Sequence, residues 1–169
     1  TSKKVKTMYH LLKDQSFVID IVCSYNSILV EYNFLENDFK SIKKKVLNYK
    51  NDLSKIDINV KKNTIKIPVL YSPKVAYDLE KLSDELNLSI EEIISLHTSK
   101  SYDVYALGFM PGFAYLGDLH KKLYSNRLKN PRKSVPKGCV AIANLQTAIY
   151  PQSSPGGWNI IGKTPIEMF

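Results

Sequence analysis

All seven glycines of this 169-residue chain fall between Gly108 and Gly162, and six of its eight prolines follow Met110. Glycine reaches left-handed backbone without a steric penalty, and proline fixes φ while removing a hydrogen-bond donor. Together they mark where a chain turns sharply. Residues 1–63 contain neither and are left to plain helices and strands. Residues 64–169 must hold tight turns and bulges. The contrast predicts an α+β protein in two parts: a small α+β N-terminal domain over 1–63, then a β-rich domain over 64–169 with the look of an irregular barrel or sandwich.

Periodicity fills in the first part. Val5, Met8, Tyr9 and Leu12 recur at helical spacing. Residues 17–23 and 27–32 are β-rich runs a turn apart, as in a hairpin. Asp38 suits the N-cap of a helix that places Phe39, Ile42, Val46 and Tyr49 on one face, and a further short strand is expected near 56–60. A piece this small buries little surface by itself. In the second part, 64–70 alternates like a strand, and Pro73 is placed at the start of a helix whose buried stripe is Leu79, Leu82 and Leu86. Ser89 and Glu92 form a capping box for a helix carrying Ile90, Ile93, Ile94 and His97 on one face. Short apolar runs at 103–107, 140–145 and 158–161 then alternate with Gly/Pro turns.

Several function classes have no motif behind them. No run approaches the roughly 18 apolar residues of a membrane span, and no basic-then-apolar signal segment opens the chain. Neither a G-x-S-x-G, nor a P-loop, nor a G-x-G-x-x-G is present. Cys23 and Cys139 are too few for a disulfide framework or a four-cysteine zinc site, and the three histidines lack metal-site spacing. The expected compartment is therefore the cytoplasm, with no membrane and no nucleic-acid partner, since no nucleic-acid motif accompanies the charge.

That charge is unevenly placed. The net value is +8, and from Leu119 to Ile166 there is no Asp or Glu, while Arg127, Arg132, Lys163 and five further lysines fall there. Such a stretch suits an anionic partner, or is a solvated basic surface. Arg132 stands between Pro131 and Pro136, which limits the backbone freedom lost on presenting a guanidinium to a carboxylate or phosphate. Cys139 is either a thiol acidified by this surrounding or a buried strand cysteine. His97, on an apolar helix face, reads as a hydrogen-bonded core histidine.

The densest wording lies in two clusters. Gly108-Phe-Met-Pro-Gly-Phe-Ala-Tyr-Leu116 packs aromatics into a rigid turn, and Ile149-Tyr-Pro-Gln-Ser-Ser-Pro-Gly-Gly-Trp158 holds the only tryptophan. Each is either a site rim or the turn architecture of a β-rich domain. With Pro-Arg-x-x-Val-Pro-x-Gly at 131–138, Val-Ala-Ile-Ala at 140–143, and Gln-Thr-x-Ile-Tyr-Pro at 146–151 running on to Ile-Gly-Lys-Thr-Pro at 161–165, they resemble the 5-oxoprolinase B-subunit family. That family is also called PxpB, allophanate hydrolase subunit 1 or KipI-like. The likeness is close from about Ile65 onward and looser over 1–63. The chain departs from the family wording at Tyr71-Ser72-Pro73, where Tyr-Gly-Gly is usual. Cys139 stands for Ser, Asn144 for Gly, and Lys163 for the commoner Arg.

The resemblance implies that the second domain is a cyclophilin-like β-barrel and that the chain is a trimmed piece lacking a leading strand and the last barrel strand. It implies a non-autonomous enzyme component that opens 5-oxoproline to L-glutamate. Its partners would be a KipA-like C subunit with a third, A-type subunit, and ATP and Mg would be used at the level of the complex. Arg132 and His97 would be its catalytic residues, His97 because imidazole titrates near working pH. Phe109, Pro111, Gly112, Phe113, Tyr115, Gln146, Thr147, Tyr150, Pro155, Gly156, Gly157, Trp158 and Lys163 would line a substrate, nucleotide or partner-protein surface, with no metal site. The alternatives are a KipI-type protein that inhibits a sensor histidine kinase, or a component acting on another amide or urea-type substrate.

Overall fold

A computed structural model of the chain describes residues 2–53 and 63–168. They belong to two compact units, Thr1–Asn63 and Thr64–Phe169. In the first, helix α1 (Ser2–Leu12) precedes an antiparallel hairpin, β1 (Val18–Cys23) and β2 (Ile28–Tyr32), and then helix α2 (Phe39–Asp52). Met8, Leu12, Phe17 and Ile42 form its core. Asp38 caps α2, accepting from the Ser41 N–H at 3.0 Å. Ile42, Val46 and Tyr49 face that core as expected, but Phe39 does not and is 64% exposed. It sits in the first turn, with the Lys43 ammonium 6.0 Å from its ring centre one turn on. The strand expected near 56–60 lies outside the described residues.

In the second unit, residues 64–70 do not form the expected strand. Leu70 alone bridges to Lys163, with N–H···O bonds of 2.8 and 3.0 Å in the two directions. Pro68 has no N–H to give a ladder, and Ile65 stays 81% exposed. Pro73 likewise does not open the helix. It lies in a turn where the Val75 and Ala76 N–H groups both close on the Ser72 carbonyl. Helix α3 (Leu79–Leu86) begins only after Asp78 is fixed to the sheet, its N–H on the Ile160 carbonyl and its carboxylate on the Ile160 N–H. Helix α4 (Ile90–Thr98) starts at the Ser89–Glu92 capping box, both halves of which are formed.

Seven strands follow: β3 (Asp103–Leu107), β4 (Ala114–Gly117), β5 (Arg132–Val135), β6 (Cys139–Ala143), β7 (Gln146–Ile149), β8 (Ser154–Gly156) and β9 (Asn159–Lys163). Five of them form an antiparallel sheet in the order β3-β4-β7-β6-β9, and β5 and β8 form a separate two-stranded ribbon. The α+β class is thus as expected. No ladder joins β3 to β9 among the described residues, so the pairing is that of a sheet and a ribbon.

The central strands are covered on both faces, which is why β6 reads as an unbroken apolar run. Val140, Ile142, Ile149 and Ile161 point toward Leu79, Leu82 and Ile93 of the helices. Cys139, Ala141, Ala143, Ala148 and Ile160 point the other way, into a cluster with Phe113, Tyr150 and Trp158. An irregularity in the β6–β9 register decides where β9 ends. Ala141 pairs with Ile160 but Val140 with Gly162, so Ile161 is extra. That added residue reverses the side on which the following ones fall, and Lys163 comes level with Cys139 on the aromatic side.

Candidate functional site

The two motif clusters meet on that aromatic side. Phe109 (φ 71°) and Gly112 (φ 79°) bend the 108–113 turn through left-handed backbone, and the Gly108 and Phe113 N–H groups close it at 3.3 and 3.1 Å. The turn drives Phe113 into the core, where its ring is 4.9 Å from Tyr115, 5.5 Å from Tyr150 and 6.0 Å from Trp158, all in edge-to-face geometry. Phe109 lies 5.3 Å from Phe113 but is itself 60% exposed, as is much of Leu107. Gly157 packs on the Pro131 ring, and a side chain at Gly156 would overlap the Tyr150 hydroxyl. Pro111 and Pro155 are at the surface.

Arg132 is at the start of β5, directly opposite Gly156 of β8. Its Nη2 donates to Asp78 Oδ1 at 2.7 Å, and Asp78 Oδ2 accepts the Ile160 N–H at 2.6 Å. Asp78 is only 4% exposed and Arg132 partly buried, so the guanidinium is held from behind by a carboxylate that is itself tied to β9. Tyr77 adds a ring 5.9 Å from the guanidinium carbon. Arg132 Nη1 is buried with no partner. Lys163 is half-buried, and no ion pair involves it among the described residues. Burial raises the Cys139 thiol pKa, with Lys163 and Arg132 pulling against it. Cys139 is thus the buried strand cysteine of the two readings, not an acidified nucleophile.

His97 is on the other side of the sheet. It is 6% exposed, with Nδ1 2.6 Å from the Tyr71 hydroxyl and Nε2 2.9 Å from Thr147 Oγ1. Thr147 spends its one hydroxyl hydrogen on the Ala141 carbonyl, so it must accept from Nε2–H, and Tyr71 must then donate to Nδ1. Every polar atom of the chain Tyr71–His97–Thr147–Ala141 is satisfied with the imidazole neutral. Burial keeps it so, lowering its pKa to about 4. The Tyr102 hydroxyl closes on the His97 carbonyl at 2.6 Å. Tyr71 and Tyr102 are both pushed up by burial, Tyr102 to about 12.

The chain matches a family model described as the carboxyltransferase domain, subdomain C and D, over residues 1–169. It is 38% identical to a Bacillus subtilis protein named as the B subunit of 5-oxoprolinase, over 94% of this chain and 70% of that one. The chain belongs to the 5-oxoprolinase B-subunit family. A Haemophilus influenzae protein of the same name is 35% identical over 94% of this chain and 73% of its own length. Among solved structures, that of TTHA0988 superposes with a TM-score of 0.81 at 29% identity. The match covers 99% of this chain, which spans about a third of that longer one at 32%.

Set against the residues this family resemblance singled out, the structure makes two groups of them. Phe109, Phe113, Tyr115, Tyr150, Gly156, Gly157, Trp158, Arg132 and Lys163 gather on or beside the aromatic side. His97 and Thr147 lie on the helix side, so no proton passes directly between His97 and groups around Arg132. Gln146 opens β7, paired with Ala143 and Gly117. Sequence reasoning missed Asp78, Tyr71 and Tyr102 as parts of these arrangements. Asp78 alone carried a signal, an aspartate directly before the Leu79 helix; in the fold it makes no side-chain cap bond and turns to Arg132 and Ile160 instead. Asn144, where the family wording has glycine, takes left-handed backbone at φ 52°.

Proposed function

We propose that this chain is the B subunit of an ATP-dependent cytoplasmic 5-oxoprolinase, opening 5-oxoproline to L-glutamate with a KipA-like C subunit plus a third, A-type subunit. The observation that carries the reading is its likeness, along 94% of its length, to proteins named as the B subunit of 5-oxoprolinase. The arrangement around Arg132 supports it. A lactam is a poor electrophile, and ATP overcomes this if the amide oxygen takes the γ-phosphoryl group as ADP leaves. Water then adds to the ring carbon, the C–N bond breaks with the nitrogen taking a proton, and a second water releases phosphate from the acyl product. Each stage presents carboxylate or phosphate charge for Arg132 and Lys163 to hold.

In this reading His97 positions rather than transfers protons. Its closed hydrogen-bond chain fixes Thr147, and hence β7, under the aromatic cluster. Exposed Leu107 and Phe109 form the surface offered to a partner protein. Magnesium would arrive with the nucleotide at the level of the complex. Among the described residues no group of three or more His, Cys, Asp or Glu is placed to hold a metal, and no step above runs through one. Nor is any described helix long and apolar enough to cross a membrane.

The test is ATP-dependent glutamate release from 5-oxoproline by the assembled subunits, with and without this one. Release should require it, fall by at least a hundredfold with Arg132→Ala, and survive His97→Gln within a few fold. Equal release when this chain is left out, or none from a well-assembled complex, would sink the proposal. In the second case an inhibitory protein contact through Leu107 and Phe109 becomes the better account.

A further inference from the structure

Two buried side-chain polar atoms among the described residues lack a hydrogen-bond partner: Arg132 Nη1 and Ser154 Oγ. A donor stripped of water and left unpaired is costly, so folded proteins keep few, and each asks for a reason. Here both sit on the one short β5–β8 ribbon. Arg132 pairs with Gly156, and Ser154 precedes Gly156 by two residues on β8, which places the two side chains on the same side of the strands. Between them Gly156 has no side chain, and the Tyr150 hydroxyl occupies the place a Cβ would need.

The donors can be counted. Arg132 has given one arm to Asp78 and keeps the two N–H groups of Nη1. Ser154 adds one O–H. Lys163, level with Cys139 on the aromatic side, brings a charge without an acidic partner among the described residues. Asp78 cancels Arg132, so the group is left with a single positive charge. That balance suits a monoanion with two oxygens and leaves a phosphate dianion under-compensated.

We propose that Arg132 and Ser154 form a receptor for the carboxylate of a small cyclic acid, one oxygen on Nη1 and the other on Ser154 Oγ, with Lys163 supplying the net charge. It deepens the 5-oxoprolinase reading, on which the identity of the acid rests, by assigning recognition of the substrate carboxylate to Ser154. Because its hydroxyl has no partner in the unliganded fold, Ser154→Ala should leave stability unchanged or raise it, whereas loss of a structural hydrogen bond would lower it.

Calorimetric titration of the full-length protein, alone and with its partner proteins, compares four probes. They are 5-oxoproline, 2-pyrrolidinone (the same lactam without the carboxylate), cyclopentanecarboxylate (a ring acid without the lactam) and inorganic phosphate. Removing one charge-assisted hydrogen bond should weaken both carboxylates by roughly tenfold in Ser154→Ala. Binding of 2-pyrrolidinone should be weak and unchanged, and the Tm should not fall. Phosphate binding tighter than the carboxylates, a lowered Tm, or carboxylate affinity unmoved by Ser154→Ala would each overturn the receptor, as would failure of both acids to bind. Turnover of 5-oxoproline with an unchanged KM in Ser154→Ala leaves the enzyme reading standing and removes the receptor. Ser154-dependent binding of cyclopentanecarboxylate without 5-oxoproline binding does the reverse.

Discussion

Replacing Asp78 by alanine strips the partner from two donors at once. The Arg132 guanidinium loses a 2.7 Å bond and the Ile160 N–H one of 2.6 Å. Removing one member of a buried ion pair costs about 3–5 kcal/mol because the other charge is left uncompensated. Arg132 keeps 27% of its side chain in water, which can rehydrate part of the guanidinium and places this case at the low end of that range. The Ile160 N–H, inside the sheet region, has no such recourse and adds about 1 kcal/mol or more. The expected loss is about 3–4 kcal/mol, on the order of a 15 °C fall in Tm for a unit of this size. Urea denaturation at constant m-value measures it. Asp78→Asn should cost about 2 kcal/mol, since one amide oxygen can satisfy only one of the two donors while its NH2 faces the other. In an Arg132→Met background the same Asn change should cost at least 1 kcal/mol less, and that difference is the coupling. A loss below about 1 kcal/mol for Asp78→Ala would refute the reasoning, since the carboxylate would then not be the anchor of the ribbon arginine.

Two further outcomes follow from the same structure. His97 has a folded pKa of about 4 against about 6.5 unfolded, so the unfolded chain binds its proton first as pH falls. Its stabilising contribution is whole above pH 6.5 and is lost toward pH 4, to a total of about 3 kcal/mol. The Tm gap between the protein and His97→Gln should therefore narrow across that window, and a constant gap would contradict it. Gly138 has φ 81°, and a Cβ there would lie 2.5 Å from the Thr164 carbonyl oxygen. Gly138→Ala should cost about 2–4 kcal/mol by thermal or urea unfolding; a value within about 0.5 kcal/mol of zero would show that the turn can shift.

What could be read from the chain beforehand was local. Ser89 and Glu92 are three residues apart and settle a helix start between themselves. Asp38 and the 17–32 hairpin are equally short-range, and a histidine on the Ile90–Ile94 face reads as a core residue. What escaped was set by distance along the chain. Asp78 meets Arg132 across 54 residues and Ile160 across 82, and no neighbouring residue announces either meeting. Alternation at 64–70 suggested a strand, but the adjacent ladder that a strand needs is not a property of the segment itself. The Val-Ala-Ile-Ala run announced a buried strand without saying which side each residue takes, because both sides are apolar. That His97 and Arg132 lie on different sides of the sheet was equally hidden, since their order along the chain does not say which side either takes.

That separation bears on how the chain can vary in length. Along β7, Thr147 serves the histidine and Ala148 the aromatic cluster, one residue apart. Insertion or deletion of a single residue there changes parity: the hydroxyl would be carried among the rings and a methyl presented to the imidazole. A change of two residues restores parity but displaces the pairing with β6. Neither has a tolerant outcome, so length differences among homologues should collect in the stretches between strands, such as 118–131. β9 already carries one extra residue, Ile161, which the bulge absorbs so that Lys163 keeps its place opposite Cys139. Deleting Ile161 would therefore leave a regular ladder with Lys163 still level with Cys139, and its cost would fall on the helix side, which would lose a fully buried isoleucine.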